Sequence, residues 1–205
     1  MRKSFYSVLL VLSLGIVFLQ SAWADSSPVG MLQSIANAMI ANLKAHKTTL
    51  KTNPNLVYSL AYKIVVPHAD LDEMSKRVLP PSVWNAASVS QRAQFKAEFT
   101  TLLVRTYASA LADYSDQTVK FFPVRGGYQG KNTVRVDSQI IRTDGPSITV
   151  NYKLVSKGAQ WKLYDLTVEG ISLLESFRSQ FADKVSQGAS MNDLIRDLKQ
   201  HNGRR

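Results

Sequence analysis

The sequence predicts a single α+β domain: a twisted antiparallel sheet of about four strands wrapped by helices. Three observations lead there. Apolar residues recur at a helical period from Val29 to about Tyr114. The period then falls to two from Thr118 to Glu169, and the helical period returns from Ser172 onward. No internal repeat is visible, and no linker is long enough to separate domains. Helices set on one sheet are therefore the expected layering.

In the helical half, Met31, Ile35, Met39, Leu43 and Leu50 mark a first helix over Val29–Thr52. Asn53-Pro54-Asn55 interrupts it. Leu56, Leu60 and Ile64 form the stripe of a second helix that stops at Pro67. Asp70–Leu79 is a third, short helix closed by Pro80-Pro81. The longest runs from Ser90 to Tyr114, with Phe95, Phe99, Leu102, Leu103, Tyr107 and Leu111 on one wide face. Thr118–Pro123 is the first strand. Thr133–Ile141 then alternates Val134, Val136, Ser138 and Ile140 against polar neighbours, and Ser147–Val155 does the same with Ile148, Val150, Tyr152 and Leu154. Gln160–Glu169 is the fourth strand. Turns are marked by Asp144-Gly145-Pro146 and Lys157-Gly158. Helices follow over Ser172–Gln187, ended by Gly188, and Met191–Gln200.

The composition excludes much chemistry. Of 205 residues, 45% are hydrophobic and 20% charged, a globular balance. Cys is absent, which removes disulfides, thiolate metal sites, a Cys nucleophile and lipid attachment through cysteine. Lys and Arg exceed Asp and Glu by ten. Such a surface suits nucleic acid or an anionic membrane, or simply keeps a protein soluble.

The first residues bear on that choice. Arg2 and Lys3 precede an apolar run from Val8 to Leu19, and Ala22-Trp23-Ala24 places small residues at a signal-peptidase cut before Asp25. The run is short of the ~20 residues a membrane helix needs. Residues 1–24 are thus expected to be a signal peptide and 25–205 the exported domain. Export makes nucleic acid an unexpected partner and a membrane surface a more natural one.

Catalytic motifs do not assemble. His46, His68 and His201 lie far apart in the chain. His68-Ala69-Asp70-Leu71-Asp72-Glu73 resembles a metal cluster, yet Asp70 as N-cap with Glu73 three residues on is a helix start. Ser147, Ser172 and Ser190 lack the glycines of a nucleophile elbow. Arg125-Gly126-Gly127-Tyr128-Gln129-Gly130-Lys131-Asn132 is one residue short of a phosphate loop and has no Ser or Thr after the lysine. A flexible hairpin loop is the expected reading. No enzyme and no metal or cofactor is expected. The amphipathic faces must close into a dry core or leave an apolar cavity, and pattern alone favours the filled core.

Longer stretches resemble the MlaC (toluene-tolerance) family of periplasmic phospholipid-binding proteins. They are Val66-Pro67-His68-Ala69-Asp70-Leu71-Asp72-Glu73-Met74, Trp84-Asn85-Ala86-Ala87, Leu103-Val104-Arg105-Thr106-Tyr107, Trp161-Lys162-Leu163-Tyr164-Asp165-Leu166, Gly170-Ile171-Ser172-Leu173 and Phe177-Arg178-Ser179-Gln180-Phe181, in the family's order. A local departure is Pro80-Pro81, where the family often has glycine after the leucine.

The resemblance implies an apolar lipid cavity between sheet and helices, and a periplasmic carrier with phospholipid as cargo. It also implies two partners. One is the MCE-domain subunit of an inner-membrane ABC transporter, the other an outer-membrane Mla lipoprotein complex, with only peripheral membrane contact. The carrier would serve outer-membrane lipid asymmetry. Candidate lipid-binding residues are Val134, Val136, Ile148, Val150, Tyr152 and Leu154 on the sheet, with Leu60, Ile64, Phe99, Leu103, Tyr107 and Phe177 on the helices. For each, ordinary core is the competing role. The rival functions are an adaptor with a filled core and, less favoured, a lipid hydrolase. Arg105 is expected to pair with a carboxylate such as Asp113 or Glu98, or to reach a lipid phosphate.

Overall fold

The chain starts its described course with a capped helix. The structure, a computed structural model, describes residues 27–112, 117–142 and 145–203, with the side chains of 109–112 left aside. The proposed signal peptide, Asp113 and Asp144 lie outside the described residues. Ser27 accepts the Gly30 N–H on its hydroxyl at 2.9 Å and Pro28 occupies the first turn, opening helix α1 (Pro28–Ala45). The single first helix expected to reach Thr52 is broken at His46, whose backbone (φ −107°, ψ 16°) leaves helical dihedrals. Helix α2 (Lys47–Thr52) follows, then α3 (Leu56–Ile64) and a 3-10 turn at Val66–His68.

Helix α4 (Leu71–Val78) begins as the sequence reading expects, with Asp70 Oδ1 accepting the Glu73 N–H at 3.0 Å. Only half of the capping box forms. The Asp70 N–H is already given to the Leu163 carbonyl at 2.7 Å, so the Glu73 carboxylate turns instead to Arg77 at 2.6 Å. The prolines read as a stop also start something: Pro81 stands at the first turn of helix α5 (Pro81–Ala86), an element the pattern did not reveal. Helix α6 (Val89–Ala112) is the longest. Its own capping box, Ser88 with Gln91, is reciprocal.

The strands β1 (Thr118–Phe121), β2 (Thr133–Ile141), β3 (Ile148–Lys157), β4 (Gln160–Val168) and β5 (Ile171–Ser172) form one antiparallel meander in chain order. Five strands stand where about four were expected, because β5 is only two residues long and carries no alternation to read. It exists because Glu169 (φ 47°) and Gly170 (φ 83°) both take positive φ, the geometry of a tight hairpin turn. The unusual φ of Glu169 is held by two bonds to Thr149: its N–H donates to the Thr149 carbonyl, and its carboxylate accepts the Thr149 N–H. Helices α7 (Leu173–Ser186) and α8 (Met191–Gly203) close the chain.

Three apolar clusters hold these elements. Residues of α4, α6, α7 and α8 build the largest, around Phe95, Phe99, Phe177 and Phe181, whose rings meet 5.3–6.3 Å apart. A second joins Met39, Leu43, Leu50, Val57 and Leu60 to Val104 and Ala108 of α6. In the third, Leu32 of α1 lies on Val134, Val136 and Leu154 of the sheet.

One buried carboxylate ties sheet to helices. Asp165 of β4, 1% exposed, accepts the Lys153 ammonium at 2.9 Å, the Ser172 hydroxyl, and the N–H of Leu174 in the first turn of α7 at 3.1 Å. Ser172 in turn accepts the Glu175 N–H as N-cap. A buried anion with this many donors is stable only while all remain. Asp165→Ala is expected to cost about 3–5 kcal/mol in urea unfolding. Asp72→Ala, which breaks an exposed pair with Lys96, should cost under ~1 kcal/mol.

Candidate functional site

The residues that resembled chemistry are tied up in structure. Every carboxylate of the His68–Glu73 stretch has a cation beside it: Asp70 with Lys157 at 3.1 Å, Asp72 with Lys96 at 2.7 Å, Glu73 with Arg77. Burial, reinforced by the charge of Lys162, lowers the His68 pKa below its usual value, which favours a neutral ring. Among the described residues no group of three or more His, Asp or Glu is placed to hold a metal ion. Arg105 donates to the carbonyl of Asn202, and Asn202 donates to Glu98 at 2.8 Å, so this part of α6 is stitched to α8.

The glycine-bearing loop between β1 and β2 is a structured connection. Gly126, Gly127 and Gly130 all have φ near 70°, and the Lys131 ammonium donates to the carbonyls of Gly126 at 3.0 Å and Arg125 at 3.5 Å. The lysine closes the loop onto itself, where in a phosphate loop it would reach a nucleotide.

What remains is the sheet's inward face. Strand alternation and register put Val134, Val136, Ser138 and Ile140 of β2 on the same side as Ile148, Val150, Tyr152 and Leu154 of β3. The two ends of this face differ. At one end Val136 and Leu154 are sealed from solvent, and Val134 nearly so, under Leu32. At the other, the cross-strand row Val119–Ile140–Ile148 is only partly buried. The adjacent row runs from buried Val150 to Val168, 36% exposed, and Ile171, 68% exposed. Between the ends, Ser138 donates to the Val150 carbonyl at 3.2 Å and hydrogen-bonds Tyr152. Burial pushes the Tyr152 hydroxyl pKa up, and the bond to Ser138 opposes that shift.

The twelve candidate lipid-binding residues do not gather into one wall. Phe99 and Phe177 lie in the aromatic cluster, with Leu103 packed partly against it. Leu60 sits in the second cluster with Ile64 at its margin. Val134, Val136 and Leu154 belong to the third, with Tyr152 beside them. Val150 is buried and Ile148 partly so, while Tyr107 is 39% exposed, its hydroxyl pKa raised by the burial it has. The sequence reading left out Val119 and Ile140, which share the open end with Ile148. The alternation named Ile140, but only the register of β1 on β2 places Val119 beside it.

An antiparallel meander wrapped by helices, with an apolar face sealed at one end, places the chain in the α+β class. The chain belongs to the MlaC family, described as MlaC protein, whose profile matches residues 33–200. A toluene tolerance protein, ttg2D, of Pseudomonas putida is 29% identical over 175 residues, 85% of this chain and 80% of its own. The intermembrane phospholipid transport system binding protein MlaC of Haemophilus influenzae is 25% identical over 176 residues, covering 84% of this chain and 81% of its own. Among solved structures, a phospholipid-binding protein from Ralstonia solanacearum, in complex with a phospholipid, superposes with a TM-score of 0.78 at 28% identity. That match covers 85% of this chain and 96% of the other. The family model and the solved structure thus agree on the same group of proteins.

The two kinds of position separate by mutation. Phe99→Ala, in the closed aromatic cluster, should cost about 3–5 kcal/mol in denaturant unfolding. Tyr107→Ala, at a half-open position, should cost about 1 kcal/mol.

Proposed function

We propose that the protein is a periplasmic phospholipid carrier. Residues 1–24 direct export, cleavage near Ala24-Asp25 releases 25–205, and the domain holds acyl chains between the sheet's inward face and the helices. The observation that carries the reading is the likeness, over 96% of its length, to a protein solved with a phospholipid bound. The open end of the apolar face supports it. Side chains there keep accessible apolar surface that a filled core would have covered. Among the described residues no helix is long and apolar enough to cross a membrane, consistent with a carrier between membranes.

Of the candidate set, the partly accessible Ile64, Leu103, Tyr107, Ile148 and Tyr152 are proposed to meet lipid directly. Val134, Val136, Val150, Leu154, Leu60, Phe99 and Phe177 are buried in the three separate clusters or the sheet and are proposed to support the site rather than line it. In the proposed cycle the carrier exchanges lipid with an MCE-domain subunit of an inner-membrane transporter and with an outer-membrane Mla lipoprotein complex.

The energetics suit a shuttle. Two acyl chains of about 16 carbons, at ~0.8 kcal/mol per buried CH₂, make transfer to water cost on the order of 25 kcal/mol. Free lipid is no intermediate, so the pocket must receive the chains as the bilayer or a partner releases them. Moving a chain between two apolar surroundings is nearly neutral, and no reaction is required.

Native mass spectrometry of the protein purified from the periplasm, with organic extraction, is expected to show a mass excess of one or two diacyl phospholipids. Ile148→Glu, at a partly exposed position, should leave a folded protein without that excess. An unliganded wild-type mass, with no lipid taken up from vesicles, would establish the adaptor with a filled core.

A further inference from the structure

The face of the sheet opposite the apolar one carries a feature that lipid binding does not use. Arg135 and Asp137 alternate with the buried Val134 and Val136, so they project to the other side. There the Asp137 carboxylate is shared: Arg135 Nε approaches one oxygen at 2.6 Å and Arg125 Nε the other at 3.7 Å. Asn151 on the neighbouring strand donates to Asp137 at 2.7 Å and fixes the carboxylate in place. Arg135 is thus held to the acid through Nε, while Arg125 stands beside it as a looser ion pair. The Arg125 side chain is 94% exposed.

Arg125 hangs from the self-closed glycine loop and, with Lys131, Thr133, Arg135 and Asp137, lines a cleft of about 300 Å³ whose floor includes Val124 and Val134. Lys120 of β1 extends the patch, its ammonium 5.4 Å from the centre of the Phe122 ring. Two arginines therefore pair with one carboxylate, and the Lys131 ammonium lines the same cleft. We propose that this cleft is a docking surface for an acidic segment of a protein partner, with the Arg125 and Arg135 guanidinium groups receiving carboxylates.

The observations favour a protein over a membrane as occupant. Surfaces that enter a bilayer interface join cations to exposed apolar or aromatic side chains. The exposed large apolar residues described here, Tyr62, Val89, Tyr107, Ile141, Val168 and Ile171, all lie outside the cleft. The Arg135 guanidinium, held on a strand, presents a planar group that matches a carboxylate fork, with Arg125 beside it on the loop. The inference stands whether or not the core holds lipid, since it concerns the other face.

The test is an NMR titration of the ¹⁵N-labelled exported protein with hexaglutamate. The expected result is saturable shifts of the 125–131 amides and of the Arg125 and Arg135 Nε–Hε signals. Affinity should fall about tenfold in R125E/R135E and stay unchanged in K47E/K51E, which makes the same charge change on α2. Shifts spread evenly over basic residues, or equal in both variants, would overturn the proposal. So would inorganic phosphate saturating the same signals as tightly, which would make the cleft a small-anion site. Co-sedimentation with phosphatidylglycerol vesicles that R125E/R135E abolishes would overturn it in favour of a lipid surface.

Discussion

A 24-residue helix that must bury apolar surface on two sides constrains everything around it. Helix α6 gives Phe95, Phe99 and Leu102 to the aromatic cluster and Val104 and Ala108 to the cluster with α3 and α1. Neither partner group could close without it, because each presents a single stripe. The bonds from Arg105 and Glu98 to Asn202 then fix α8 along its flank. With α6 so placed, α1 lays the buried Leu32 on Val134, Val136 and Leu154, while the aromatic cluster takes Leu166 and Tyr164 of β4. The uncovered end of that face follows from the helices' prior commitments.

Asp165 settles how the two layers meet. A carboxylate this buried orders everything that donates to it: a lysine on β3, the hydroxyl that caps α7, and an amide in that helix's first turn. The bulge opposite Lys153 and Leu154 lies beside it, shifting the register by one residue. Leu163 and Leu166, three apart, consequently stand opposite Leu154 and Tyr152 and share the inward face. The Trp161–Leu166 stretch that carried the family resemblance is thus the joint between sheet and helices.

These features explain what the sequence made readable. Strand β2 was legible to the residue because half of it is buried and half is not, and α7 to within one residue at each end because Ser172 caps it and Gly188 follows. Helix α5 was hidden because two prolines signal a stop as strongly as a start, and β5 because two residues have no period. The site was harder. Periodicity says that Phe99 and Val136 face inward, but not that they face different neighbours, and the twelve candidates fall into three clusters as a result. Cross-strand register is a tertiary fact, so Val119 could not be placed beside Ile140 from its own strand.

The two faces of the sheet also divide labour in a way that single residues could not. If cargo exchange is nearly neutral, neither loading nor release can be driven by the pocket, and docking must supply timing and direction. A docking surface sharing residues with the pocket would change cargo affinity whenever partner affinity changed. Alternation along β2 largely separates the two proposed surfaces: Val136 faces inward, Arg135 and Asp137 outward, and only Val134 borders both. Charge on the outer face can then set encounter rate and salt sensitivity while the inner face keeps its hydrophobic character. The same strand that holds Asp137 beside two arginines holds Val136 in the cluster with Leu32, and Val134, which also lines the cleft, is where the two faces meet.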